Sequence, residues 1–344
     1  MRIPGLRTVK KAWRRLNQHG LILMYHRVYE KTDTSDPWLL CVTPRHFEEH
    51  LQVIKRVALP VRLSEMADNL PAFPGRQNQV VLTFDDGYRD NVLVALPLLQ
   101  KHDVPASFYV VSGAVGAACE FWWDELERVI LRQQKLPDPF EIKIGSENFS
   151  WRLSEGPGEK SSVYSKEHPG VLENNQPAGG RILYQSLWNL LKAFSESRKR
   201  EILSEICRKA GAGPNPRESH LPVTAAQLRE LAGCRLCEVG AHTASHPMLA
   251  HLTPGEQEKE IAQGKSALEE MVGSPVTSFT YPHGSYTPET LDIVRRIGFK
   301  NAATVFEETV TRKAHPYKLP RFMVKDWDGE EFERRLRGWI TLKN

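Results

Sequence analysis

The sequence predicts an α/β fold, a deformed (β/α) barrel of seven strands carrying a mostly helical insertion. Three observations lead there. Short β-prone runs alternate with amphipathic helical stretches at both ends of the chain, the pattern of parallel strands joined by crossover helices. That rhythm stops near Glu120 and returns after Leu221. Where strands end, chemically loaded residues follow: His26 after LILMY, Asp85 and Asp86 after VVLTF, His242 after LCEVGA. In a parallel barrel such positions converge on the C-terminal rim.

The elements follow in order. Leu21–Tyr25 is an apolar strand. Pro44–Val57 is a helix with Pro44 in its first turn and Phe47, Leu51 and Ile54 on one face. Val80–Phe84 is a strand, Asn91–His102 a helix and Ala106–Val111 a strand. Beyond Glu120, FWWDELERVILRQQ and RILYQSLWNLLKAFSESRKREILSEICRKA are helical by period. Between them Ser154–Gly180, rich in Gly, Pro, Ser and charge, reads as a mobile loop. After Leu221, Thr224 and Gln227 form a capping box for a helix. LCEVGAH is a strand ending at His242, and Pro254–Val272 is a long amphipathic helix. SFTYPHG is a strand end, Pro288–Ile297 a helix and NAATV a strand. LPRFMV and a terminal helix finish the chain. The expected division is a basic segment at 1–20, a barrel at 21–119 and 222–344, and an insertion at 120–221.

Bulk properties exclude several classes. The chain has 344 residues, and 46 Lys+Arg against 42 Asp+Glu leave a net charge of +4. That excess is too small to argue for nucleic acid as a partner. Five scattered cysteines do not make a disulfide framework. Cys234 and Cys237 form a C-x-x-C without a second pair, so they read either as buried thiols or as a redox or zinc pair. The first residues are positive but lack the apolar core of a secretory signal, and no run reaches membrane-spanning length, so a cytoplasmic protein is expected. Leu6, Val9, Trp13 and Leu16 recur at helical spacing among Lys10, Lys11, Arg14 and Arg15. This is either a solvated helix or a peripheral contact with an anionic membrane.

Two adjacent carboxylates at a strand end raise each other's pKa unless positive charge lies beside them, and a metal ion would supply it. His242 and His246, in GAHTASHP, stand at i and i+4. If Thr243–Ser245 begin a helical turn, both imidazoles face one way. Two His and one carboxylate, with a position left open, form a common catalytic zinc sphere, and Asp86 is the natural third ligand. Phe121, Trp122 and Trp123 either offer their faces to a ligand as a cap over the mouth or pack the inserted helices.

TFDDGY together with HTASH resembles the polysaccharide deacetylases, the NodB-homology group of carbohydrate esterase family 4. The resemblance implies Asp85 as general base and Asp86, His242 and His246 as ligands of a divalent metal, zinc being expected. It places TYPHG, Thr280–Gly284, where the family has Arg-x-Pro-aromatic-Gly. Thr280 replaces the arginine and His283 the aromatic, while Tyr281, Pro282 and His283 form the turn that meets substrate and oxyanion. The family's C-terminal Leu-x-His has no clean copy, although AHPYKLPRF contains His315. The Tyr-His after the first strand is similar to a permuted subgroup, the biofilm poly-N-acetylglucosamine deacetylases, and implies His26 as general acid. Asp326–Trp327 echoes the family's Asp-Trp segment without an assigned role. The implied activity is removal of an N-acetyl or similar N-acyl group from an amino sugar in a polysaccharide or glycolipid precursor. Alternatives are a deformylase or other amidohydrolase acting on a lipid-linked sugar, and a nucleotide-sugar glycosyltransferase. The last would need no H-x-x-x-H. A non-catalytic carbohydrate-binding relative would be expected to lack Asp85 or one His, and all are present.

Overall fold

The computed structural model describes residues 20–30, 36–70, 78–154 and 178–341. The basic segment at 1–20 therefore lies outside the described residues up to position 19, as does most of the Ser154–Gly180 stretch. Its last residues open a helix, Ala178–Leu191. The chain divides into two units.

The strands are β1 (Gly20–Tyr25), β2 (Arg27–Val28), β3 (Cys41–Val42), β4 (Leu59–Pro60), β5 (Gln79–Phe84), β6 (Ala106–Val110), β7 (Phe140–Ile144), β8 (Glu147–Trp151), β9 (Cys237–Ala241), β10 (Ser278–Thr280), β11 (Asn301–Ala303) and β12 (Phe322–Met323). In the first unit seven of them run β11-β10-β9-β6-β5-β1-β12, with β4 pairing β5 off this path. All these pairings are parallel. A parallel bridge between Ala303 and Leu319, just ahead of β12, draws the curled sheet towards closure. Helices pack against the sheet, so its central strands β1 and β5 carry long apolar runs: Leu21, Ile22, Leu23, Val80, Val81 and Leu82 are fully buried.

Register sets what reaches the rim. Tyr25 lies opposite Phe84 and Phe84 opposite Phe108, so His26 and Asp85 leave their strands at the same height. Val110 lies opposite Ala241, and Ala241 opposite Phe279, which brings His242 beside Thr280. Stacked rings of Tyr25 on Phe84 at 5.3 Å and Phe84 on Phe108 at 4.9 Å fill the space beneath.

The expected helices Pro44–Val57 and Pro254–Val272 form with those bounds. The second is closed by a Thr253–Glu256 capping box and by Gly273 in the left-handed region. The Thr224–Gln227 box also forms. The stretch expected as one helix, Asn91–His102, begins instead with a wide π-helical turn at Asn91–Ala95 and becomes α-helical at Leu96. Pro97 has no N–H to donate to the preceding turn, which accounts for the irregularity.

The second unit comprises Lys31–Leu40 and Ala117–Pro222. Residues 31–40, expected within the barrel, group with the insertion instead. Trp38 explains this: its indole N–H donates to the Tyr184 hydroxyl at 2.7 Å and its ring lies 4.5 Å from that of Trp188. The unit holds helices Trp122–Leu131, Ala178–Leu191 and Glu196–Ala210. It also holds a β7–β8 hairpin that the helical reading missed, although FEIKI alternates buried and exposed residues at a strand's period. Trp122 and Trp123 are 1% and 5% exposed. Trp123 stacks on Phe121 at 4.7 Å, Trp122 lies 5.8 Å from Trp188, and Lys199 Nζ sits 5.0 Å from the Trp122 ring centre. These rings form the insertion's own core. Among the described residues no helix is long and apolar enough to cross a membrane.

Candidate active site

Asp85 and Asp86 follow β5, and two backbone features turn them apart. The Asp85 N–H donates to Tyr25 O, continuing the ladder by one residue. Asp86 then enters the left-handed region at φ 72°, followed by Gly87 at φ 82°. A Cβ on Gly87 would also meet Val110 at 2.9 Å, so glycine is required there. The two carboxylates consequently meet different partners.

Asp86 faces the histidines. Its Oδ1 lies 3.5 Å from His242 Nε2 and 3.4 Å from His246 Nε2. Among the described residues this is the only group of three His, Cys, Asp or Glu placed to hold a metal ion, its donor atoms lying within 4.8 Å of one another. Cys234 and Cys237 join no such group. Burial and the neighbouring Cys234 push the Cys237 thiol up, away from the thiolate a metal would need.

The donor chemistry fits a divalent cation. His242 Nδ1 donates to the Thr280 carbonyl at 2.9 Å, which fixes the tautomer and leaves the Nε2 lone pair facing Asp86. Burial pushes His242 down to about 4, so the ring is neutral at neutral pH, as a ligand must be. Burial opposes ionisation of Asp86, but the hydrogen bond and charge of His246, with His26 and His242, outweigh it and hold the carboxyl well below its ordinary range. Two imidazoles and one carboxylate form a borderline-soft donor set that suits zinc and related ions.

The histidines do not meet through a helical turn. Thr243 and His246 are left-handed, at φ 63° and 59°, and the segment is a loop. Thr243 Oγ1 donates to His242 O at 2.6 Å and accepts the His246 N–H at 2.9 Å, closing the loop on itself. Short Thr and Ser side chains that bond their own backbone compete with helix formation, which is why the i, i+4 spacing misled about conformation while the facing of the two rings held.

Asp85 faces Arg321. The guanidinium donates to both carboxylate oxygens, at 2.8 and 2.7 Å, and is itself fully buried. Burial opposes ionisation of Asp85, but Arg321 outweighs it and holds the carboxyl below its ordinary value. Arg321 is held in turn by Thr304 O and Thr83 Oγ1. The sequence reading missed this residue. It looked for an arginine at position 280, and the arginine instead comes from LPRF, 236 residues beyond Asp85. A charged residue inside an otherwise apolar strand-like run was the available signal.

The remaining predicted residues separate. His26 sits at the end of β1, half-buried, and its charge acts on both Asp85 and Asp86. His315 is exposed, and its Nδ1 accepts the Tyr317 N–H at 3.2 Å. Tyr281 is buried with its hydroxyl donating to Tyr317 O at 3.0 Å, so it anchors the turn from behind. Pro282 is buried, whereas His283 is exposed, left-handed at φ 55°, and edge-on to His246 with ring centres 4.5 Å apart. Asp326 caps the helix Pro44–Val57 by accepting from Thr43 N, Thr43 Oγ1 and His46 Nδ1, a structural role. Trp122 and Trp123 lie in the other unit, buried as described.

The solved structures that resemble this one include the deacetylase PplD of Streptococcus pyogenes, at 18% identity and a TM-score of 0.57, covering 95% of this chain and 100% of that one. IcaB from Ammonifex degensii is 20% identical, with a TM-score of 0.56 over 94% and 98% of the two chains. The de-N-acetylase from Aggregatibacter actinomycetemcomitans is 14% identical, with a TM-score of 0.52 over 91% and 96%. These likenesses establish the fold. In sequence, YxkH of Bacillus subtilis (strain 168), provisionally named a polysaccharide deacetylase, is 30% identical over 102 residues, which is 30% of this chain and 36% of that protein. The match thus spans about a third of that relative's length. The family model for polysaccharide deacetylase matches residues 74–134 and 213–302, segments that contain Asp85, Asp86, His242, His246 and the Tyr281–Gly284 turn. His26 and Arg321 lie outside both segments. Through this two-segment match the chain carries a domain of the polysaccharide deacetylase family.

Proposed function

We propose that this protein is a metal-dependent hydrolase that removes an N-acetyl group from an amino sugar of a polysaccharide or glycolipid precursor. The observation that carries the reading is the division of labour between neighbours: Asp86 is committed to His242 and His246, while Asp85 is held apart by Arg321. A divalent metal bound by Asp86, His242 and His246 would supply a Lewis acid that makes water more acidic and polarises the amide carbonyl. Asp85, ionised and not a ligand, takes the proton of the attacking water. Arg321 keeps it oriented and charged before that transfer. The turn Tyr281–Gly284 brings a backbone edge and the His283 ring to the mouth, where oxyanion and sugar would lie. His26 stands at the height of Asp85 and gives a proton to the nitrogen as the C–N bond breaks and its electron pair goes to that nitrogen. Acetate and a free amine result.

The test combines metal content with acetate release. Purified protein should contain about one equivalent of divalent metal, as a catalytic site with an open position does, and should release acetate from N-acetylglucosamine oligomers. Asp85→Asn, which cannot accept the proton, should keep the metal and lose ~10²–10⁴-fold in kcat. His242→Ala should lose the metal. Loss of metal in Asp85→Asn would make Asp85 a ligand and move the base elsewhere.

A further inference from the structure

Arg27 and Asp90 form a buried ion pair that the chemistry above does not use. Arg27 Nε donates to Asp90 Oδ2 at 2.9 Å, and the two side chains are 5% and 6% exposed. The other carboxylate oxygen accepts from the Val28 N–H at 3.2 Å and from Asn91 Nδ2 at 3.1 Å. Asn91 Nδ2 also donates to the backbone carbonyl of His26 at 2.8 Å. The Arg27 guanidinium lies over the Tyr29 and Tyr88 rings, 4.9 and 4.6 Å from their centres.

Desolvation cancels most of what a buried pair of this kind gains, so stability is a poor reason for having one. Its location suggests another. β1 pairs with β5 as far as Tyr25, and β2 pairs with β3 from Arg27 onward. His26 therefore sits where the chain leaves one sheet for another, a point that neither ladder fixes. The bonds from Asp90 and Asn91 fix it. They tie His26 O, Val28 N and the Arg27 side chain to the turn that begins with Asp85 and Asp86. Base, metal-holding carboxylate and His26 thus share one rigid frame.

We infer that Arg27, Asp90 and Asn91 are positioning residues that hold His26 where it can protonate the leaving nitrogen. This rests on the deacetylase reading, and the leaving group provides a test specific to it. An amine must be protonated as it departs, whereas 4-nitrophenolate leaves unaided. Asn91→Ala removes the tie to His26 O. The double variant Arg27→Met with Asp90→Asn removes both buried charges together while keeping an acceptor for Val28 N–H, which guards against a variant that fails to fold. Both should keep the wild-type metal content, lose at least ~10-fold in deacetylation of N-acetylglucosamine oligomers, and hold 4-nitrophenyl acetate hydrolysis within ~2-fold. His26→Ala should lower the same amide-to-ester ratio, and adding Asn91→Ala to it should change amide hydrolysis no further, because residues acting as one unit are not additive. Amide and ester rates falling together, or an Asn91→Ala effect that persists in full without His26, would overturn the inference. A wild-type protein that cleaves the aryl acetate but no N-acetylated sugar overturns the deacetylase reading and the inference with it.

Discussion

Asp85 and Asp86 have the same side chain and adjacent positions, yet differ in everything that matters chemically. One left-handed residue, Asp86 at φ 72°, is enough to separate them. Such backbone is costly for a non-glycine residue and is typically retained where function needs the direction it gives. Both aspartates were legible in the sequence because strand-end chemistry is local. Arg321 was not, because its pairing with Asp85 depends on closure of the sheet between β11 and β12, which no local pattern encodes. Another buried titratable group was also unreadable. His50 is buried inside the helix Pro44–Val57 with its Nε2 donating to Trp327 O at 2.7 Å, its Nδ1 within 3.3 Å of the Tyr25 hydroxyl, and its ring stacked on Phe332. Burial pushes it down to about 4 from an ordinary 6.5; of its charged neighbours His46 reinforces this, while Asp326 and Glu49 oppose it. With the folded value below the unfolded one, the unfolded chain binds the extra proton between them. The contribution of His50 is complete above about pH 6.5 and is lost as pH falls through about 4. A gap of that size is worth about 3 kcal/mol. Denaturant unfolding at pH 7 and pH 4.5 should show wild type losing more stability than His50→Gln; equal losses would mean that His50 does not titrate on unfolding.

At the scale of elements, periodicity served well where one face of a helix or both faces of a strand are buried, since burial is what imposes the period. It failed at the loop between β9 and the helix Pro254–Val272, where His242 and His246 sit. There the geometry comes from that helix. Glu260 O accepts the Ala244 N–H, and the Glu260 carboxylate accepts from Ser245 N and Oγ at 2.9 and 2.8 Å. One turn on, Gly264 lets the helix backbone approach: a Cβ there would lie 2.6 Å from Thr243 C and 2.9 Å from Ala244 N. Backbone cannot move aside as a side-chain tip can. Gly264→Ala should therefore push the ligand loop outward and destabilise the metal-free protein by about 1–3 kcal/mol. It should also weaken metal binding ~10–100-fold, as loss of support behind ligands does. Chelator competition and thermal unfolding of the apoprotein measure the two effects. Unchanged metal affinity in a folded Gly264→Ala would mean that the Thr243 bonds within the loop and the Glu260 bonds to Ser245 set it without the close approach at Gly264.

At the scale of the whole molecule, the chain interrupts its barrel with a second unit that has its own hydrophobic centre and its own ionic network. Arg217 donates to Glu120 and Glu127, and Glu127 also accepts from Arg132. The loss of βα rhythm announced this unit, but not that Trp38, some eighty residues earlier in sequence than Trp122, belongs to it; contacts between distant segments leave no periodic trace. The aromatic run at Phe121–Trp123 had two readings, a sugar-stacking cap or helix packing, and the burial of both tryptophans favours packing. Removing a ring as enclosed as Trp122 leaves a cavity, and substitutions of this kind cost about 3–5 kcal/mol. In Trp122→Ala, hydrogen exchange should rise in the helices Trp122–Leu131 and Glu196–Ala210, whose residues Trp122 and Lys199 are in contact. Exchange in β5 should stay unchanged, and KM for N-acetylglucosamine oligomers should stay within ~2-fold of wild type, because a core aromatic offers its face to its neighbours and not to a ligand. Intact protection in the inserted helices together with a raised KM would reverse the assignment and make Trp122 a substrate contact.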